Sequence, residues 1–267
     1  MPLTPDARVF PALLDAYEED PSNLLIEGLS ERANSVLNRA ITSKNAFLIL
    51  DSNRDTQEQI FELALHRGLK WRNGRTLKVA FIGGSPALNS LVAKFASDWT
   101  KYANLNFEFV EEGPSDIRVA FEAGKGHWSH IGTNCSNIPQ NEPTMNFDDI
   151  ALSPYHDIRR VVLHEFGHAL GCVHEHQSPA AGIPWDRPAV YKDYLNKQGW
   201  SPKMVDDNVL NKYGSSVPIT NSRYDADSIM RYPIDSIHVT NISFAKDWND
   251  DLSAGDKAFI AKEYPGR

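Results

Sequence analysis

Residues 161–179, VVLHEFGHALGCVHEHQSP, hold four of the nine histidines in the chain. His164 and His168 stand four apart in a segment with helical periodicity. One turn separates them, so both imidazoles project from the same face, close enough to share one ion. Glu165, next to the first, points beside such an ion rather than onto it. Gly171 follows three residues after His168. A glycine there ends the helix in a left-handed conformation and turns the chain, which brings His174 back as a third ligand. Three neutral nitrogens and an open position describe a catalytic zinc site, because a structural zinc would be closed by a fourth protein ligand. Three imidazoles in a tetrahedral set favour one Zn2+ ion. Such an ion polarises a carbonyl and lowers the pKa of water toward ~7. Glu165 is then the general base that takes the water's proton and passes it to a leaving amine. His176, two residues past His174, faces away from the ligands, either behind them or into solvent. His66, His127, His130, His156 and His238 have no ligand spacing.

The elements that must position these groups follow from periodicity and caps. DTQEQIFELALHRG (55–68) reads as a capped helix stopped by Gly68. TLKVAFIGG (76–84) alternates like a strand. Residues 85–104 read as a helix with Ser85 as cap and Pro86 at its first position, carrying the apolar stripe Leu88, Leu91, Val92, Phe95, Trp99 and Tyr102. NFEFV (106–110) and SDIRVAFEA (115–123) are two further strands, 126–141 is loop, and TMNF (144–147) is a short strand. The histidine-bearing helix begins near Asp157. Helices are expected over 187–199 and 201–214, and a last one over 253–265, capped by Ser253 with Asp256 three residues on. Strand, helix, strands, helix is the order of an α+β domain built on a mixed sheet. Neither half of the chain beyond Trp71 closes a core alone.

At 267 residues the chain is long enough to bury one substantial core. A formal charge of −8 argues against a nucleic-acid-binding face. No apolar run reaches the roughly 18 to 20 residues of a membrane span, and the first residues show no signal peptide. Cys135 and Cys172 are read as two free thiols, with a Cys135–Cys172 bridge as the alternative.

With these residues in place, the chain resembles the metzincin zinc endopeptidases, and most closely the astacin branch. His164-Glu165-x-x-His168-x-x-Gly171-x-x-His174-Glu175 has the astacin form, with glutamate after the third histidine. Downstream, Ser228-Ile229-Met230-Arg231-Tyr232 resembles the family's Met-turn, and LSAGDKAFIAKEYP its closing helix. The resemblance runs from about Trp71 to Pro265. It implies a metzincin-type α+β fold with a catalytic domain over 71–267. The upper subdomain, about 71–171, carries a twisted mixed sheet and the active-site helix. The lower one, about 172–267, is mostly irregular and helical and carries the Met-turn. It implies that Met230 packs under the three imidazoles and that Tyr232 hydrogen-bonds the oxyanion. It also implies that an edge strand, TMNF or the segment before it, binds an extended protein or peptide substrate. The resemblance suggests secretion, while the sequence by itself fits a cytosolic protein as well as a secreted one; a monomer is expected.

Three features depart from the family pattern. Two cysteines cannot reproduce its usual disulfides, so the chain looks more like microbial relatives. The family buries a newly cut N-terminus against the glutamate after the third ligand; Glu175 stands there, yet residues 1–70 precede the domain as a possible pro-segment. The family's Phe-x-Gly-Asp pro-segment motif is missing, with Asp51 and Asp55 as conceivable stand-ins. The competing readings are a zinc-containing module that holds peptides without cutting them, a latent zymogen plugged by residues 1–70, and a metallohydrolase acting on a non-peptide amide.

Overall fold

The computed structural model describes residues 69–212 and 224–267. The expected helix over 55–68 and the candidates Asp51 and Asp55 lie outside them. The described part opens on a five-stranded sheet: β1 (Thr76–Ile82), β2 (Asn106–Val110), β3 (Ile117–Ala120), β4 (Trp128–Ser129) and β5 (Met145–Asn146), in the order β2-β1-β3-β5-β4. All neighbours are parallel except β4 and β5. Val79 is the pivot of the register, level with Phe109 on one side and Ile117 on the other. Leu77 and Val79 point into the core, as the alternation requires.

Helix α1 (Pro86–Ala96) is capped by Ser85, whose hydroxyl accepts the Leu88 amide. The stripe was expected to continue to Asn104. Instead Ser97 bonds back to the Ala93 carbonyl at 2.7 Å, and the chain tightens into a 3-10 turn at Trp99–Lys101. Helix α2 (Tyr155–Ala169) starts two residues earlier than expected, and every residue from Val161 to Ala169 is buried. It lies across the sheet, with Phe166 edge-on to Phe107 at 5.4 Å. It also packs beside α1, where the Trp99 indole donates to the Leu163 carbonyl at 2.9 Å.

Beyond Gly171, which has φ +100°, the chain enters the lower part. Helix α3 (Arg187–Gln198) runs from an Asp186 cap to Gly199. Helix α4 (Pro202–Val205) passes into a π-helical turn, Asp206–Leu210. Helix α5 (Ala254–Glu263) starts with the Ser253/Asp256 capping box. The main core joins the sheet, α1 and α2 to Ile229, Met230, Leu252, Ile260 and Tyr264. This core is shared between residues before and after Gly171. The start of the described chain is sewn in as well: the Trp71 indole donates to Ala169 O, its amide to Tyr264 Oη, and Lys70 pairs with Glu263.

One correction concerns the edge of the sheet. TMNF is interior, because Met145–Asn146 pairs with β3 on one side and β4 on the other. On this side the edge is Trp128–Ser129, in the segment before TMNF, the other candidate, which reads as loop in the sequence; β2 forms the opposite edge. A two-residue strand is too short to show alternation.

Gly167 sits mid-helix in α2, where alanine is normally better by about 1 kcal/mol. A Cβ at this position would lie 2.3 Å from Met230 Sδ and 3.0 Å from Trp99 Cζ2. Gly167→Ala should therefore destabilise the protein by about 2 kcal/mol, lowering Tm by roughly 4–8 °C. In a Met230→Ala background the same change should be neutral or stabilising, and thermal melts of the four proteins give the coupling. A higher Tm for Gly167→Ala alone would contradict this packing.

Candidate metal centre

Helix α2 brings His164 and His168 onto one face with ring centroids 4.8 Å apart. It ends when the Gly171 amide donates to His168 O and the Cys172 amide to Gly167 O. The reversal carries His174 to within 4.8 Å of His168 by centroid. One ligand atom from each of His164, His168 and His174 lies within 4.8 Å of the others, so the structure assembles the three histidines singled out in the sequence.

The Nδ1 partners decide what these rings offer. His164 Nδ1–H donates to Ile229 O at 2.8 Å, and His168 Nδ1–H to Cys172 O at 2.9 Å. His174 Nδ1–H donates to Gln177 Oε1 at 3.2 Å. A neutral imidazole with its proton on Nδ1 presents a bare lone pair at Nε2. Burial, followed by the charge of His168, holds the pKa of His164 well below its ordinary value, and the same two causes depress His174. Burial lowers His168 to about 4. The rings are thus neutral near pH 7. His168 Nε2 and His174 Nε2 face each other at 3.2 Å, two acceptors with no proton between them. A cation at the point they share turns that repulsion into binding. The spacing also matches about 3.3 Å, the separation of two ligands on a tetrahedral zinc with ~2.1 Å bonds. The donor set fits zinc.

Glu165 is 6% exposed, and among the described residues its Oε2 has no hydrogen-bond partner. Burial raises its pKa to about 8. A buried carboxyl oxygen without a donor, next to a cation site, is poised to accept from a small molecule.

The lower part supplies the floor. Met230 packs against Gly167 from beneath. Asp256 locks the turn that carries it, accepting from the Ser228 hydroxyl at 2.6 Å, the Ile229 amide at 2.8 Å and the Ser253 amide at 2.9 Å. The Ile229 carbonyl in the same turn orients His164, so α5, the turn and the first histidine form one unit. Tyr232 lies 4.5 Å from His174 and 5.8 Å from His164 by centroid. Glu175 ties the segment after the third histidine to the turn. Its amide donates to Met230 O, and its Oε1 accepts the Asp225 amide at 2.9 Å. Burial lifts its pKa to about 7.

Of the two expectations for His176, burial holds: the ring is 1% exposed. It stacks on His174 and on Tyr232 at 5.0 and 4.8 Å, accepts the Tyr232 amide at Nδ1 and donates from Nε2 to Asn208 O. His238, read as unremarkable, is buried and donates to Asp193 at 2.9 Å. His127 accepts the Asp148 amide. Trp248, 6.0 Å from Tyr232 with Arg160 over its face at 4.2 Å, was not anticipated. Nor were Gly167, Gln177 and Asp256 in their present roles, though Asp256 had been read as a capping residue. Cys135 and Cys172 are free and buried, which agrees with the free-thiol reading.

Residues 70–245 match the family model described as Astacin (Peptidase family M12A). Among curated proteins the chain is similar to Protein SpAN of Strongylocentrotus purpuratus, 28% identical over 154 residues, 55% of this chain and 22% of that protein. It is also similar to Zinc metalloproteinase nas-30 of Caenorhabditis elegans, 25% identical over 182 residues, 67% of this chain and 20% of that protein. The matches thus span about a fifth of the length of these relatives. Among solved structures it resembles myroilysin, with 44% identity and TM-score 0.70 over 76% of this chain and 98% of that one. A hatching enzyme zinc-protease from Oryzias latipes, high choriolytic enzyme 1, shares the fold at 15% identity and TM-score 0.53, over 75% of this chain and 96% of that one. No described helix is long and apolar enough to cross a membrane. The family match covers well over half of the sequence: the chain belongs to the astacin family, peptidase family M12A.

Proposed function

We propose that His164, His168 and His174 hold one zinc ion, that Glu165 is the general base, and that the chain cuts peptide bonds in extended protein substrates. The observation that carries the reading is the set of three Nδ1–H groups committed to acceptors, which leaves three Nε2 lone pairs directed to one place beside a partnerless carboxylate oxygen. Zinc in that position supplies Lewis acidity, polarising a carbonyl and acidifying water. Glu165 takes the proton from the attacking water at its buried carboxylate and returns it to the leaving nitrogen. Tyr232 donates its phenol proton in a hydrogen bond to the oxyanion as charge develops. Met230 and Glu175 keep the floor and the third-histidine segment in register. The substrate backbone adds to the free side of β4, which among the described strands has β5 as its neighbour. A zinc-holding peptide module would need neither a buried base nor a phenol beside the histidines. Action outside the cell as a monomer belongs to the same proposal.

Glu165→Gln should keep its zinc and lose about 10²–10⁴-fold in kcat on casein. Tyr232→Phe should lose about 10²–10³-fold in kcat with KM little changed. A Glu165→Gln protein that digests casein at the wild-type rate would remove the general base from the mechanism.

A further inference from the structure

His164 and His168 hand their Nδ1–H groups to backbone carbonyls, whereas His174 depends on a side chain, Gln177. Gln177 is 3% exposed. Its Nε2 donates to Asp207 O at 2.8 Å and to Asn211 O at 3.0 Å. Both carbonyls belong to the π-helical turn Asp206–Leu210 or to the residue that ends it. A π turn shifts the backbone bonds to i→i+5, as in Asn211 N to Asp206 O at 2.8 Å, and presents carbonyls that an α-helical turn would have used internally.

The consequence is a matter of donor counting. With both amide hydrogens on carbonyls, the group of Gln177 that meets His174 is its oxygen, and that oxygen accepts. A flipped amide would set an oxygen against two carbonyl oxygens. The turn therefore dictates the orientation of Gln177, and Gln177 in turn dictates that the His174 proton sits on Nδ1.

We propose that Gln177 is a positioning residue for the metal centre: it passes the carbonyl pattern of the Asp206–Leu210 turn to His174 and holds the His174 proton on Nδ1, so that Nε2 presents its lone pair. This rests on the reading of His174 as a zinc ligand. A supporting acceptor of this kind raises the basicity of the ligand and fixes its ring, and its loss costs about 10–100-fold in metal affinity. Of the three ligands, His174 is the one whose Nδ1 support a single substitution can remove.

The test is zinc affinity of the full chain, measured by competition with a chromogenic chelator, together with thermal melts of the zinc-free protein. Gln177→Leu should weaken zinc binding by about 10–100-fold. Gln177→Glu keeps an oxygen for His174 and loses both donated bonds to the turn, so Tm should fall while zinc affinity stays near wild type. Equal losses of Tm with unchanged affinity in both variants would make Gln177 a brace for the turn alone and overturn the proposal. A measurement on the wild-type protein does not depend on either variant folding. In zinc-free protein carrying 15N-labelled histidine, His174 should show the Nδ1–H tautomer by NMR, and an Nε2–H tautomer would equally overturn the proposal. A wild-type chain that binds no zinc yet shows the Nδ1–H tautomer would sink the metal-centre reading and leave the role of Gln177 in orienting His174 intact.

Discussion

Three Nδ1–H groups, each donated to an oxygen on a different stretch of chain, are the constraint on which the rest of this structure turns. His164 looks to Ile229, His168 to Cys172 and His174 to Gln177. Bringing three imidazoles into a buried space is costly unless each has a partner and the remaining lone pairs share a cation. One acceptor, Ile229 O, comes from 65 residues away, whereas Cys172 O and Gln177 Oε1 lie only four and three residues from the rings they hold. The His164–Ile229 bond spans the core that residues before and after Gly171 share.

The surrounding architecture can be read as the means of placing those three oxygens. Gly171 lets the chain reverse at once, so that Cys172 O returns beneath His168 and His174 arrives from the other side. Gly167 gives up helix propensity so that Met230 can press close under the helix, which sets the height of the Ile229 carbonyl. Asp256 then fixes that carbonyl by holding the Ile229 amide and the Ser228 hydroxyl while it also caps α5. Burial keeps Asp256 above its ordinary pKa even with three donors around it. Its lost hydration is made up by hydrogen bonds that are simultaneously structural and functional.

How much of this was legible in the sequence depends on the range over which each signal acts. His164, His168 and Gly171 speak through helical spacing, and Ser85 and Ser253 through capping, so local pattern sufficed for them. The Met-turn and Tyr232 were legible through resemblance alone, since nothing in the spacing of Met230 ties it to a helix some sixty residues earlier. Gln177, His176 and Asp256 act across 27 to 56 residues through hydrogen bonds, and no local pattern announces such a contact. Two misreadings have local causes. The edge strand Trp128–Ser129 is too short to show a period, and α1 stops early because Ser97 bonds its own helix.

The central claim is that three imidazole nitrogens and an open position surround one zinc ion. X-ray absorption at the zinc edge, on protein loaded with a single equivalent of zinc, tests it most directly. One tightly held zinc per chain is expected, with a first shell of nitrogen and oxygen at about 2.0–2.1 Å and the outer-shell scattering of three imidazole rings. A shell containing sulfur, fewer than three imidazoles, or zinc that washes away without a chelator would contradict it.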